Sequence, residues 1–405
     1  MKARQVIIMA AVAALACGAL LIAPPLASAQ TGDPISALVG RLDLERYKAT
    51  IEGLAQFGDR RQGTDRNRAA VEWIARELAS YGCTVERLHY AYDRAPEPPS
   101  PLRPSAASII PSGEFRPGLG GARLRGVVVS PVPNNDPNEQ SDPALRALNA
   151  QLPTPGPREE VFCTKVGATH PEEMYIVGGH MDGRGFGEAV DDDASGAALV
   201  MELARALSGP DVTTDRSIRF VLWNNEETGL NGAFAYVQQR AALEGREGPP
   251  GSGRYPEPKW LGMIQHDMML WDHGLPRADG TVSPEQRAEA DVNIDFQSTS
   301  KLADQSMKLA FAFREANEKY ATDYPATVGP HMTNTDSTPF MDLVPAITLR
   351  ENDRGAQIGA GSNPHYHQPS DRFTSYSDKD FRLGLNAAQT TLAGVAKLTG
   401  AALKK

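Results

Sequence analysis

Three apolar, strand-like runs each end on residues that bind metals or move protons. After Tyr175-Ile176-Val177-Gly178-Gly179 comes His180-Met181-Asp182, and after Phe220-Val221-Leu222-Trp223 come Asn224-Asn225 and Glu226-Glu227. After Met263-Ile264-Gln265-His266 comes Asp267. Asp191-Asp192-Asp193, in the loop before an apolar helical pattern, and His367, between Pro364 and Pro369, join them. Ligands of open α/β sheets collect at the carboxyl ends of strands. Imidazoles and carboxylates without thiolates suit zinc in an open, catalytic site. The inventory exceeds what one ion needs. A two-metal site uses it: one aspartate bridges two ions, each ion adds one histidine and one acid, and a water between them is acidified to hydroxide. One acid, from the Glu226-Glu227 pair, is left as general base. Spacing leaves open which aspartate of the run bridges.

These residues need a scaffold. Helical periodicity runs from Leu42 to Phe57 and from Asp65 to Tyr81, where Val71, Ile74, Ala75 and Leu78 share a face between a Thr64 or Asp65 cap and Gly82. A strand-like Thr84 to Tyr92 follows. Pro96 to Pro157 holds 14 of the 31 prolines, so it is read as an irregular surface excursion, apart from a short piece such as Leu124 to Val129. From Glu159 the chain alternates. Strands are expected near Val161–Lys165, Met174–Gly178, Ile218–Trp223, Trp260–His266 and Pro345–Glu351, with helices at Ala194–Leu207, Leu302–Tyr320 and after Ser377. Such alternation predicts a sheet covered by helices on both faces, a three-layer α/β/α fold.

The 405 residues are 41% hydrophobic, enough for a substantial core, and the formal charge of −9 disfavours a nucleic-acid or anionic-membrane surface. Lys2 and Arg4, an apolar run from Val6 to Ile22, Pro24-Pro25 and Ala27-Ser28-Ala29 read as a secretory signal over residues 1–29. Its removal would take Cys17 and two positive charges, leave −11, and leave no stable membrane anchor on a secreted or periplasmic protein. Cys83 and Cys163 remain. They are read equally as a disulfide or as two small apolar side chains.

In combination the motifs resemble those of the M28 metallopeptidases. The matching stretches are Val177-Gly178-Gly179-His180-Met181-Asp182, Ala189 to Gly196, Trp223 to Gly232, Gly262 to Met268, and Tyr366-His367-Gln368-Pro369-Ser370-Asp371. The resemblance runs from about residue 40 to the C-terminus and leaves the proline-rich region unmatched. It implies a single peptidase domain over 30–405, made of N-terminal helices and a strand (36–94), the excursion (96–157) and a metal-binding core (159–405). The implied fold is of the zinc-exopeptidase type, with a mostly parallel mixed central sheet. The implied cofactor is two zinc ions per chain, one held by His180, Asp192 and Asp267 and the other by Asp192, Glu227 and His367. Asp192 thus becomes the bridge and Glu226 the general base. Asp182 resembles the carboxylate that orients His180, and Tyr366 a hydrogen-bond donor to the oxyanion.

The chain departs from the family pattern at His266, read as a sheet-packing histidine, and at Ala233. His365 gains no ligand role, Asp336 resembles a loop near the substrate pocket, and Met268 to Trp271 are read as core or the lining of an apolar pocket. The implied activity is aminopeptidase action on a peptide. Its rivals are a carboxypeptidase or deacylase on the same site, a single-zinc glutaminyl cyclase, and a binding module on a dead scaffold. Oligomeric state and side-chain preference are not written in the motifs.

Overall fold

Alternation of apolar side chains between two faces builds the sheet that carries the chemistry. The protein is described here from a computed structural model covering residues 33–92, 133–275, 277–279, 281–330, 335–351 and 362–404, all within one compact unit. The expected signal segment 1–29, residues 96–132 of the excursion and the piece Leu124–Val129 lie outside the described residues.

In chain order, α1 (Pro34–Val39), α2 (Leu44–Ala55) and α3 (Asp65–Ser80) lead into β1 (Val85–Tyr92). Asp33, Asp43 and Thr64 cap the three helices by accepting the amides of Ile35, Arg46 and Asn67. Within the proline-rich stretch lies α4 (Pro143–Asn149), so the excursion is not irregular throughout. Its proline stands at the first helical position, behind an Asp142 cap, where a missing N–H costs nothing. Then come β2 (Gly156–Lys165), β3 (His170–His180), α5 (Gly196–Ser208), β4 (Val212–Thr213), β5 (Arg216–Trp223), α6 (Asn231–Arg240) and β6 (Lys259–His266). The chain closes with β7 (Val292–Phe296), α7 (Ala303–Tyr320), β8 (Ala326–Pro330), β9 (Ala346–Arg350), α8 (Asp378–Thr399) and β10 (Ala402–Leu403).

Eight strands form one mixed sheet in the order β1-β2-β5-β3-β6-β9-β7-β8, while β4 pairs with β10. The central four, β5-β3-β6-β9, are parallel, and β2 and β7 flank them antiparallel. Their carboxyl ends therefore open on one edge. Val161, Val177, Phe220, Leu222 and Ile264 face a core shared with Ile51 of α2, Ile74 of α3, Leu203 of α5, Phe313 of α7 and Leu392 of α8. Phe162, Ile176, Val221, Trp223 and Met263 face the other side, where Tyr236 of α6 and Phe340 cover them. The three-layer α/β/α expectation holds, with one face far more thickly covered than the other.

Close backbone approach sets the depth of the site. A Cβ on Gly179 would lie 2.8 Å from the carbonyl carbon of Gly196, and one on Gly196 would lie 2.8 Å from the main-chain oxygen of His266. The ends of β3 and β6 thus approach the start of α5 too closely for a Cβ on either glycine, and the Asp193 carboxylate lies against Gly196 at the same junction.

Cys83 and Cys163, the latter on β2, form a disulfide, which resolves the pairing left open by the sequence. No helix of the described residues is long and apolar enough to cross a membrane.

Candidate metal centre

His180 ends β3 and is buried. Its Nε2 stands 3.1 Å from Asp192 Oδ1 and 3.9 Å from Asp267 Oδ1. Its Nδ1 is 2.9 Å from the main-chain oxygen of Asp182, whereas the Asp182 carboxylate lies 3.8 Å away. Sequence reasoning gave the orienting role to that carboxylate; the geometry gives it to the carbonyl. A side chain two residues on is reached most directly through its own backbone, which a residue pattern does not reveal. The carboxylate instead accepts the amides of Glu226 at 3.0 Å and Glu227 at 3.4 Å, joining the ends of β3 and β5.

The three consecutive aspartates are sorted by what their oxygens already hold. Asp191 accepts the Leu270 amide at 2.9 Å and the Asn363 Nδ2 at 2.6 Å. Asp193 accepts the amides of Gly196, Met268 and His180 at 2.8, 3.1 and 3.0 Å. Asp192 is spent on no amide, and its two oxygens face His180 and His367. Asp371 holds the turn by accepting the amides of Asp191 and Asp192 at 3.0 and 3.3 Å. Met268 to Trp271 are buried, and their amides end on Asp193, the Ser195 hydroxyl, Asp191 and Glu351. That run is main-chain scaffolding under the site, and the side chains of Met269, Leu270 and Trp271 pack into the core.

His367 comes from the loop before α8. Its Nε2 lies 2.8 Å from Asp192 Oδ2 and 3.0 Å from Glu227 Oε2. Potential ligand atoms of His180, Asp192 and Asp267 all lie within 4.8 Å of one another, as do those of Asp192, Glu227 and His367. Yet Glu227 Oε1 and both ring nitrogens of His367 are buried without a hydrogen bond. Close contact without hydrogen-bond geometry is what converging ligand atoms produce, so the donor set fits a pair of divalent ions.

The charges agree. Burial works against every ionised group here, yet the carboxylates of Glu227 and Asp192 push the His367 imidazole up to about 9. Asp192, against the same cost, is held below its ordinary value by His367 and His180. Burial raises Asp182 to about 6 and holds Glu226 well above the usual carboxylate range. A site so rich in carboxylates calls for cations.

Strain concentrates at the same place. Arg60, Phe186, Ala189, Asn225, Met268 and His367 all have positive φ, a left-handed backbone that costs a non-glycine residue about 1 kcal/mol or more. Each lies beside or within a loop that carries a candidate ligand.

The remaining sequence-level candidates are placed as follows. Tyr366 is half-buried, its ring stacked on His367 with 3.8 Å between centroids. His266 packs away from the cluster, its Nδ1 3.0 Å from the Gly178 oxygen and Nε2 2.9 Å from Thr391 Oγ1. His365 sits edge-on to Trp271 and belongs to neither donor group. Asp336 is fully buried with Oδ1 unpaired, and its charge acts on His180, Asp182 and Asp267.

Sequence reasoning missed Arg60, which is fully buried. Its Nε donates to the Met181 oxygen at 2.8 Å, Nη1 to the oxygens of Glu188 and Gly58 at 2.7 and 3.0 Å, and Nη2 to Ala189 at 2.7 Å. It ties the His180 loop to the Asp192 loop. The signal was a charged Asp59-Arg60-Arg61 step between Gly58 and Gly63.

A model of peptidase family M28 matches residues 161–389. Carboxypeptidase Q of Homo sapiens is 36% identical over 72 residues, 18% of this chain and 15% of that protein, so the match covers a small part of the relative's length. A zinc aminopeptidase from Bacillus subtilis superposes with a TM-score of 0.58 at 16% identity, over 88% of this chain and 96% of its own. A glutaminyl cyclase from Porphyromonas gingivalis superposes with a TM-score of 0.54 at 14% identity, over 88% and 99%.

Proposed function

The chain belongs to peptidase family M28, and from that premise we propose that it is an exported dizinc exopeptidase removing residues from the amino end of peptides. His180, Asp192 and Asp267 would hold one zinc, and Asp192, Glu227 and His367 the other. The observation that carries this reading is the sharing of Asp192 by two complete donor groups. Zinc there supplies Lewis-acid polarisation of the scissile carbonyl and a lowered pKa for water.

The side chains do the rest. Glu226 takes a proton from the attacking water and delivers it to the leaving amine nitrogen. Its burial, which favours the protonated form, suits a group that must give the proton back. Asp182 fixes where Glu226 begins by holding its amide. Tyr366, stacked on His367, brings a hydroxyl to the carbonyl oxygen as negative charge grows there. The free α-ammonium of the substrate is met by buried acid such as Asp336.

Export is supported by the character of residues 1–29 and by a disulfide, which persists in an oxidising compartment. A secreted or periplasmic location follows. The acidic balance of the chain supports a peptide partner over a nucleic acid.

The test is turnover of free aminoacyl reporters beside N-blocked and free-C-terminus counterparts, with mature protein stripped by chelator and titrated with zinc. Cleavage of the free-amine reporters alone, saturating near two zinc per chain, is expected. Saturation near one zinc would favour a cyclase-like site, and cleavage only of N-blocked peptides would move the activity to the carboxyl end.

A further inference from the structure

Arg60 and Arg61 follow one another between α2 and α3, and the fold uses them in opposite ways. Arg60 spends its guanidinium on main-chain oxygens around the centre. Arg61 spends none of its fork: Nε and Nη2 are buried with no hydrogen-bond partner. Asp59 Oδ2 stands 3.7 Å from Nε, beyond hydrogen-bond distance, and is occupied by the Phe186 amide at 3.3 Å. Arg61 is held by its ion pair with Asp59 and by stacking, with its guanidinium carbon 4.4 Å from the Phe186 ring centre. Held by that ring face and by the nearby Asp59 charge, without a hydrogen bond, the guanidinium can turn to meet a ligand at little cost. Its unspent, desolvated donors are a debit that a carboxylate would remove.

The place of this cation is fixed relative to the centre. Phe186 follows Gly185, whose φ is +96° and where a Cβ would lie 2.3 Å from the carbonyl carbon of His367. The loop under Arg61 is therefore wedged against the loop that carries His367. The charges of Asp59, Arg184, Arg66 and Glu227 all act on Arg61. Arg184 is half-buried; its Nη2 is 3.4 Å from Asn135 Oδ1, and it pairs with no carboxylate among the described residues. Two cations without hydrogen-bonded acids thus stand beside the Glu227 and His367 half of the cluster. The buried acid Asp336 acts on His180, Asp182 and Asp267, and on Glu227 as well.

We infer that Arg61, assisted by Arg184, binds the terminal carboxylate of a short peptide, so that the preferred substrates are dipeptides and their near homologues with a free C-terminus. This rests on the reading of the cluster as an exopeptidase centre. The ammonium of a zwitterionic dipeptide meets the acidic end and its carboxylate the cationic end, one residue beyond the scissile bond. Guanidinium suits the task because its parallel N–H groups match the two oxygens of a carboxylate.

Binding and turnover test this separately. Calorimetry on zinc-loaded Glu226→Gln protein compares Leu-Gly, Leu-Gly amide and Leu-Glu amide, with and without Arg61→Gln. The expected result is a preference for the free acid over its amide of about tenfold, the scale of one charge-assisted hydrogen-bonded contact. Arg61→Gln abolishes the preference and Arg61→Lys restores part of it. Leucine p-nitroanilide, which has no carboxylate, reports the peptidase activity of the wild-type protein, and an unchanged melting temperature of Arg61→Gln reports a sound fold. Equal binding of acid and amide by the parent protein overturns the inference. So does a preference that survives Arg61→Gln, or one seen only with the Glu side chain. If wild-type protein leaves the anilide intact, the peptidase reading fails while the calorimetry still decides the role of Arg61.

Discussion

The ring of His180 is oriented by the backbone of Asp182, at 2.9 Å, and the carboxylate of the same Asp182 is turned to the amides that begin the Glu226-Glu227 pair. One residue thereby sets the direction of a metal-binding candidate on β3 and the position of Glu226, the proposed general base, after β5. The two functions separate by mutation. Asp182→Asn keeps the carbonyl and removes one of two acceptor oxygens, so zinc content should stay near that of the parent while kcat falls about 10- to 100-fold. Metal analysis beside steady-state kinetics checks this, and a parallel loss of zinc would return the orienting role to the carboxylate.

Glu226→Gln keeps the shape of the side chain and removes its ability to hold a proton. Turnover should drop by roughly 10²- to 10⁴-fold with zinc stoichiometry unchanged. A fully active variant would remove Glu226 from the mechanism.

Arg60→Met leaves main-chain oxygens of Met181, Gly58, Glu188 and Ala189 buried without their donor. The expected cost is about 3–5 kcal/mol, with weakened zinc binding because two candidate ligand loops lose their tie. Arg60→Lys, a single point donor, should recover little of either. Urea midpoints and zinc titrations read both effects.

The disulfide Cys83–Cys163 closes a loop with a sequence separation of 80. Replacing both cysteines with alanine should lower stability by about 4 kcal/mol on the chain-entropy model. Reductant should reproduce the shift in melting temperature in the parent and leave the double variant unaffected.

His266 is fully buried, and burial lowers its pKa to about 4. Unfolded, it takes up a proton near pH 6.5. Between those values His266 binds more protons in the unfolded state than in the folded one, so its own contribution to stability rises with pH. The contribution is fully present above about pH 6.5 and is lost as pH falls toward 4, a change of order 3 kcal/mol. Buried acids such as Asp182, raised to about 6, titrate in the opposite sense, so the slope is read as the difference in urea midpoint between parent and His266→Gln across this window in chelator-treated protein.

Much of this arrangement is legible in the residues, and what is not has physical reasons. The parallel strands are continuous apolar runs buried on both faces, so β3, β5 and β6 declare themselves. β7 and β8 do not: each has five residues, the first interleaves buried Asn293 and Asp295, and the second ends in Gly329-Pro330, tolerable only at a sheet edge. Candidate ligands stand out because histidine and acid at strand ends are costly without a use. The choice of Asp192 needed a family pattern, since three identical side chains differ only in which amides reach them. Arg60 escaped notice because its partners are carbonyls, which every residue has.

The turn that presents Asp192 is held from both ends of the sequence, by Arg60 ahead of it and by Asp371 far behind. A chain leaving the ribosome carries His180, Asp192, Glu227 and Asp267 well before His367 and Asp371 exist. During translation, Asp192 therefore lacks both its second imidazole and the carboxylate that shapes its loop. The geometry of that turn is thus among the last parts of the cluster that synthesis can complete.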